Sequence, residues 1–250
     1  MLNKLIITVA GTSSRFSQSI GKETLKSIYY ESPYNKSILE VLLEYAKECF
    51  DDIIIVGGYR FEDLQQYLTL RLREGNISCV YNDHFADYGS NYSLYLGLQK
   101  ALEDEDCNVV FVEGDLIIDK HSFDLVCKSK KSVITSNNTA ISADKSVIFY
   151  STTNGIIKYA YDSEHKELFI SEPFTTIANS GQIWKFTHSN LMRIITDEQS
   201  VNDFKDNNLN IVQKYFQRLT KDQYCVINIK QWYNCNAAED YRIALQSILQ

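Results

Sequence analysis

Five small or hydroxylated residues, Ala10, Gly11, Thr12, Ser13 and Ser14, run directly into Arg15, and Lys26 lies eleven residues beyond that arginine. A loop of this make-up lets backbone N–H groups approach phosphate oxygens closely. Arg15 and Lys26 would add the fixed positive charge that steadies a triphosphate while its α-phosphorus is attacked. Further along, Val112-Glu113-Gly114-Asp115 ends an apolar run on a carboxylate. Asp115 at that position is suited to holding Mg²⁺ against phosphate oxygens. A third segment, Trp232-Tyr233-Asn234-Cys235-Asn236, leads into Ala237-Ala238-Glu239-Asp240-Tyr241. Asn236 there either offers a second metal ligand through its amide oxygen or caps the helix that follows. Each motif also has a plainer alternative: a surface turn for the loop, a turn or helix-capping aspartate for Asp115. The loop is neither a Walker loop nor GxGxxG, since Ser13 and Phe16 fill glycine positions.

These side chains need a scaffold that gathers them, and the apolar pattern supplies one. Four short, nearly continuous runs at 5–10, 53–56, 79–81 and 109–112 are rich in β-branched residues. That is the pattern of strands buried on both faces of a parallel sheet. Between them, 37–50, 61–72 and 92–102 carry apolar residues at helical spacing. Strand–helix alternation predicts a parallel sheet built from βαβ units. The loop at 10–15 and Asp115 then both fall at carboxyl ends of strands, where open α/β sheets bind ligands.

After about residue 130 the pattern changes. Shorter strands are expected at 132–137, 146–151, 155–162, 167–174 and 181–186, with turns at 153–155 and 163–165. Helices follow near 189–198 and 206–218, then a strand at 225–229 and a last helix at 237–249. The expectation is one domain over 1–250: a nucleotide-binding half (1–130), acceptor-binding elements (131–230) and a closing metal-site turn with its helix (231–250). The aromatic residues Phe149, Tyr150, Tyr159, Tyr161 and Phe169 recur at strand spacing and read as sheet-face residues.

A net charge of −7, with no Lys/Arg-rich run, argues against a nucleic-acid partner. The apolar run near the N-terminus is far shorter than the ~20 residues of a membrane helix, so no membrane partner is expected. Six cysteines without CxxC or zinc spacing read as reduced thiols, which points to the cytoplasm. His84, His121, His165 and His188 are scattered and read as surface residues. Oligomeric state, monomer or dimer, is left open.

The segments AGTSSRF…LKSI, IIIVGGYR, YNDHFADYGSNYSL, VVFVEGD and NCNAAEDY resemble the bacterial nucleotidyltransferase superfamily, and within it the CTP-dependent phosphocholine cytidylyltransferases and their phosphonate and phosphoramidate relatives. The resemblance covers residues 4 to about 120 and resumes near 180–186 and 232–241. It implies a Rossmann-like, GT-A-type α/β fold whose mostly parallel sheet is flanked by helices and carries an inserted antiparallel β/α region. It implies a Mg²⁺-dependent transfer of CMP from CTP to a small phosphorylated acceptor, with release of pyrophosphate, of the kind that activates surface-glycan components. Phosphocholine, aminoethylphosphonate and phosphoglutamine are the acceptors it brings forward. By the same resemblance, Lys26 and Arg15 are catalytic. Ala10, Gly11, Thr12, Ser13, Ser14, Gly58, Tyr59, Asn82, Ser90 and Ser93 hold the nucleotide. Asp115 and Asn236 hold the metal, and Tyr81, Asn91 and Trp184 meet the acceptor. Two departures stand out. Ser13 replaces a usual glycine, and only Trp184 and Trp232 are on hand for the aromatic cage that a choline group favours. A sugar-1-phosphate nucleotidyltransferase and a non-catalytic nucleotide-binding module are the competing readings.

Overall fold

In a computed structural model of the chain, which describes residues 1–71, 76–103, 106–143, 145–162 and 166–248, the apolar runs become the centre of one sheet. In chain order the first half holds β1 (Leu2–Thr8), α1 (Ser14–Ile20), α2 (Ile38–Ala46), β2 (Asp52–Gly57), α3 (Phe61–Arg71), β3 (Ile77–Tyr81), α4 (Ser90–Ala101), β4 (Cys107–Glu113), β5 (Leu116–Ile118) and α5 (Lys120–Lys128). The second half holds β6 (Ser132–Asn137), β7 (Ile148–Thr152), β8 (Ile157–Ala160), β9 (Phe174–Phe186), α6 (Ser189–Asp197), α7 (Val201–Phe204), α8 (Leu209–Phe216), β10 (Tyr224–Ile229), β11 (Trp232–Asn234) and α9 (Ala238–Ile248).

The sheet order is β10-β6-β9-β4-β1-β2-β3. Strands β4, β1, β2 and β3 are mutually parallel, as the continuous β-branched runs require. The long β9 runs antiparallel between β4 and β6 and extends past them to pair with β7, which carries β8. Leu5 and Ile7 of β1 pack with α2, α5 and α9, while Ile6 packs with α4, α6 and α8. Both faces are covered, so this is the mostly parallel, Rossmann-like sheet flanked by helices with an antiparallel second half. Local chemistry sets the helix starts. Ser37 and Glu40 form a reciprocal capping box on α2, with Ser37 Oγ accepting from Glu40 N–H at 3.1 Å and Glu40 Oε2 accepting from Ser37 N–H at 2.8 Å. Such a cap is worth about 1 kcal/mol.

Three differences from the sequence pattern have physical reasons. Residues 167–173 form no strand. Pro173 has no N–H to give to a ladder, and the Glu172 side chain is held by Lys158 and Tyr150. The strand expected at 181–186 is the end of the 13-residue β9. Helices α1 and α7 and the β5–β11 ribbon are too short to have been read, whereas α5, amphipathic and capped by Asp119, was passed over. The turn at 163–165, with His165, and the ends of two expected helices at Leu72 and Leu249, lie outside the described residues. All six cysteines are free thiols. Among the described residues no helix is long and apolar enough to cross a membrane.

Candidate active site

The loop after β1 is fastened to the end of β2. Val9 N–H donates to Val56 O at 2.8 Å, and Tyr59 N–H donates to Ala10 O at 3.1 Å. Gly11 projects into the open, where an added Cβ would meet nothing within 4 Å. Ser13 sits at φ 54°, a left-handed conformation that glycine adopts freely. For serine that backbone costs about 1–3 kcal/mol. Its side chain compensates, because Ser13 Oγ accepts from Lys26 N–H at 3.2 Å and so fixes where the lysine starts. Lys26 Nζ then donates to Asp115 Oδ2 at 2.8 Å.

Asp115 arrives from the other side of β1. Gly114 N–H donates to Thr8 O at 3.0 Å. A Cβ on Gly114 would stand 2.3 Å from Val9 Cγ1 and 2.7 Å from Thr8 O, so only glycine lets the end of β4 turn in this tightly. Cys235 N–H donates to Asp115 O at 2.8 Å, which brings in the segment after β11. Arg15 Nη2 donates to Asn236 Oδ1 at 3.0 Å. Asn236 is not a helix cap: Asp240 accepts from the N–H groups of Asn236 and Ala237, at 3.1 and 2.8 Å.

Two adjoining clefts result. The larger, about 290 Å³, runs over the carboxyl ends of β1 and β4. It gathers Ala10, Gly11, Ser13, Lys26, Asn82, Ser90, Ser93 and Asp115. The smaller, about 190 Å³, is ringed by Thr12, Ser13, Ser14, Arg15, Phe16, Lys26 and Asn236. Lys26 and Ser13 line both and mark the junction. At the floor of the larger cleft, Glu113 Oε1 accepts from Asn208 Nδ2 at 2.8 Å and Oε2 from Gln182 Nε2 at 3.0 Å. Burial, helped by the neighbouring Asp115 charge, pushes the Glu113 carboxyl up to about 7.

Several residues singled out in the sequence do not face the clefts. Trp184 is 0 % exposed. Its ring stacks on Phe111 at 5.2 Å, and its Nε1–H donates to Tyr159 Oη at 2.8 Å. It is a core residue and touches no acceptor. Asn91 is equally buried, donating to Gln199 Oε1 and Asp203 O, so it joins α4 to the 199–203 segment. Tyr81 and Gly58 line a separate open groove with Arg60 and Phe61. Tyr59 lines neither cleft; its N–H donates to Ala10 O and its ring packs against Phe85 at the border of the larger one. Asn82 borders the larger cleft but turns its amide inward, donating to Ser93 Oγ at 2.9 Å and accepting from His84 N–H at 2.9 Å. It therefore holds the 82–85 turn.

Sequence reasoning passed over Ser27, Phe85, Tyr88, Gly89, Glu113 and Asn208, all of which border the larger cleft. Glu113 lay inside a motif that had been read only for its aspartate. Asn208 belongs to an Asp-Asn-Asn run at the start of the helix expected near 206–218. In the fold Asn207 Oδ1 accepts from Leu209 N–H, which leaves the Asn208 amide free to reach Glu113.

The chain has relatives. The choline-phosphate cytidylyltransferase of Streptococcus pneumoniae (strain ATCC BAA-255 / R6) is 24% identical over 258 residues, covering 99% of this chain and 98% of that protein. Among solved structures, the CTP:phosphocholine cytidylyltransferase from Streptococcus pneumoniae aligns with a TM-score of 0.69 at 20% identity, covering all of both chains. The inositol-1-phosphate CTP transferase from T. maritima aligns with a TM-score of 0.71 at 13% identity, covering 100% of this chain and 97% of that one. These likenesses establish the nucleotidyltransferase fold. A family model described as a domain of unknown function, DUF6564, matches residues 22–248, and the chain accordingly belongs to that family.

Proposed function

We propose that the chain is a nucleotidyltransferase that moves CMP from CTP onto a small phosphorylated acceptor and releases pyrophosphate. The observation that carries this reading is the convergence of Ser13, Lys26 and Asp115 at the junction of two clefts on the carboxyl ends of β1 and β4. In this reading the smaller cleft, with Arg15, takes the β- and γ-phosphates. The larger takes the nucleoside, and Lys26 stands at the α-phosphate between them. The 131–230 segment supplies the acceptor side through Asn208 and Gln182. An acceptor phosphate oxygen attacks the α-phosphorus in line, the bond to the β-phosphate oxygen breaks, and pyrophosphate leaves with that electron pair. An acceptor phosphate is already anionic near neutral pH and needs no general base. The residues' tasks are orientation and charge stabilisation.

The donor set suits Mg²⁺. Asp115 Oδ1 is buried and has no partner among the described residues, and a hard carboxylate oxygen is the ligand Mg²⁺ favours, with substrate phosphates completing its shell. Asp115 would hold the ion, which would neutralise phosphate charge. Asn236 Oδ1 accepts from Arg15 and keeps a second lone pair with which it would join Asp115 on the ion. Among the described residues no group of three or more His, Cys, Asp or Glu forms a second candidate.

The test is pyrophosphate release with Mg²⁺ and CTP, UTP, GTP or ATP, scanned over phosphocholine, aminoethylphosphonate, phosphoglutamine and sugar phosphates. Release with CTP and one acceptor is expected. A preference for UTP or GTP overturns the cytidylyl assignment, and silence throughout overturns the enzyme.

A further inference from the structure

The polar side chains lining the larger cleft are almost all engaged with one another. Asn82 holds Ser93, Ser90 Oγ accepts from Asn208 N–H at 3.0 Å, Asn208 holds Glu113, and Lys26 holds Asp115. Among the described residues, two lining atoms are buried without any partner: Asp115 Oδ1 and Ser27 Oγ. The first is accounted for above. Ser27 is 1 % exposed and sits in the short 3-10 turn Lys26–Ile28. A buried hydroxyl left unsatisfied is unfavourable, and in native folds such groups nearly always have a partner. Ser27 has none among the described residues, yet it borders the cleft.

Its position narrows what the partner is. Ser27 lines the larger cleft and not the smaller, whereas the adjacent Lys26 lines both. A group that reaches Ser27 therefore belongs to the part of the ligand on the nucleoside side of the junction. Near Lys26 that part is anionic, and a hydroxyl donates well to a phosphate oxygen.

We propose that Ser27 is a ligand-contacting residue whose hydroxyl donates to the phosphate of the transferred nucleotidyl group, discriminating it from the departing pyrophosphate. This rests on the nucleotidyl-transfer reading above. Ser27 adds a neutral donor at the phosphorus under attack, beside the cation of Lys26, and it touches neither the β- nor the γ-phosphate.

The experiment measures binding of CTP, CMP and pyrophosphate, each with Mg²⁺, to wild type and Ser27→Ala by calorimetry, alongside the ligand-free thermal midpoints. Loss of a hydrogen bond to a charged group weakens binding by about 10- to 100-fold. That weakening is expected for CTP and CMP alike, with pyrophosphate unchanged. The ligand-free midpoint is expected not to fall, because alanine removes an unpartnered buried hydroxyl. A variant that binds CMP as wild type does, or that loses pyrophosphate binding instead, overturns the proposal. So does a midpoint several degrees lower, which would give Ser27 a structural partner. Wild-type protein that binds no nucleotide overturns the nucleotidyl-transfer reading and this inference with it. Intact wild-type binding with an indifferent variant overturns the inference alone.

Discussion

Replacing Gly89 by alanine probes how the two halves of the site are joined. Gly89 has φ −79° and ψ 178°, which any residue tolerates, so the constraint is space alone. An added Cβ would stand 1.9 Å from Asp206 O and 2.9 Å from Lys205 O. Those atoms are backbone and have no rotamer to escape into, so the 204–208 segment must lift away by more than 1 Å, given that carbon and oxygen cannot pack much closer than 3 Å. Lifting it breaks three contacts: Gly89 N–H to Phe204 O at 2.8 Å, Asn91 N–H to Asp206 O at 3.2 Å, and Asn208 N–H to Ser90 Oγ at 3.0 Å. At about 1 kcal/mol net per hydrogen bond, the loss is about 3 kcal/mol. Asn208 Nδ2 also draws back from Glu113 Oε1, and a buried oxygen left bare adds ~1–3 kcal/mol. Urea unfolding followed by circular dichroism is expected to show a destabilisation of about 4–6 kcal/mol, and a thermal midpoint lower by roughly 8–24 °C for a chain of this size. Gly11→Ala is the control: its Cβ meets nothing within 4 Å, so stability should hold while nucleotide binding suffers. A Gly89→Ala loss below about 1 kcal/mol would refute the argument that the 204–208 segment is pinned against α4.

Lys26→Ala leaves Asp115 without its 2.8 Å partner and is expected to lower turnover about 10²- to 10³-fold, the usual effect of removing one transition-state contact. Steady-state pyrophosphate release checks this, and near-wild-type turnover sinks the role of the lysine. Trp184→Phe removes the donor to Tyr159 and shrinks a fully buried ring, at a cost of about 1–3 kcal/mol. Denaturation should register that loss while the KM for acceptor stays put, and a selective rise in acceptor KM would return Trp184 to the binding surface. Hydrogen bonds from Lys214 and then Ser200 hold the Asp203 carboxyl well below the usual aspartate range. Its stabilisation is therefore complete above the unfolded pKa of about 4 and fades as pH falls through the lower folded value. Asp203→Asn should be the less stable protein at pH 7, with the gap closing in acid. A gap that is the same at pH 7 and pH 2 contradicts this assignment.

The parallel core was legible because burial on both faces forces continuous β-branched runs, and β1, β2 and β4 carry them. Gly11 and Asp115 were legible for a related reason: they follow strand ends, where local composition changes sharply. Non-local partnerships were not. Nothing near Asn208 says that it reaches Glu113, 95 positions earlier. Trp184 was misread because a tryptophan on a strand looks the same whether its face meets ligand or Phe111. Serine at position 13 looked like a degraded glycine. Its hydroxyl, accepting from Lys26 N–H, gives a reason for serine that no local pattern could have supplied.

The β11–α9 segment has a bearing on how the protein is made. Arg15 is fastened by Asn236, 221 positions later, and Ala238 N–H and Tyr241 Oη bond back to Ser19 Oγ and Lys36 O. Ribosomes add about 5–20 residues per second, so Arg15 emerges roughly 10–45 s before Asn236. A nascent chain can pair β1 with β2 and β4 in that interval and hold Ala10 against Tyr59, but Arg15 still lacks its partner. Nucleotide binding should therefore appear on the ribosome only once the β11–α9 segment has been delivered.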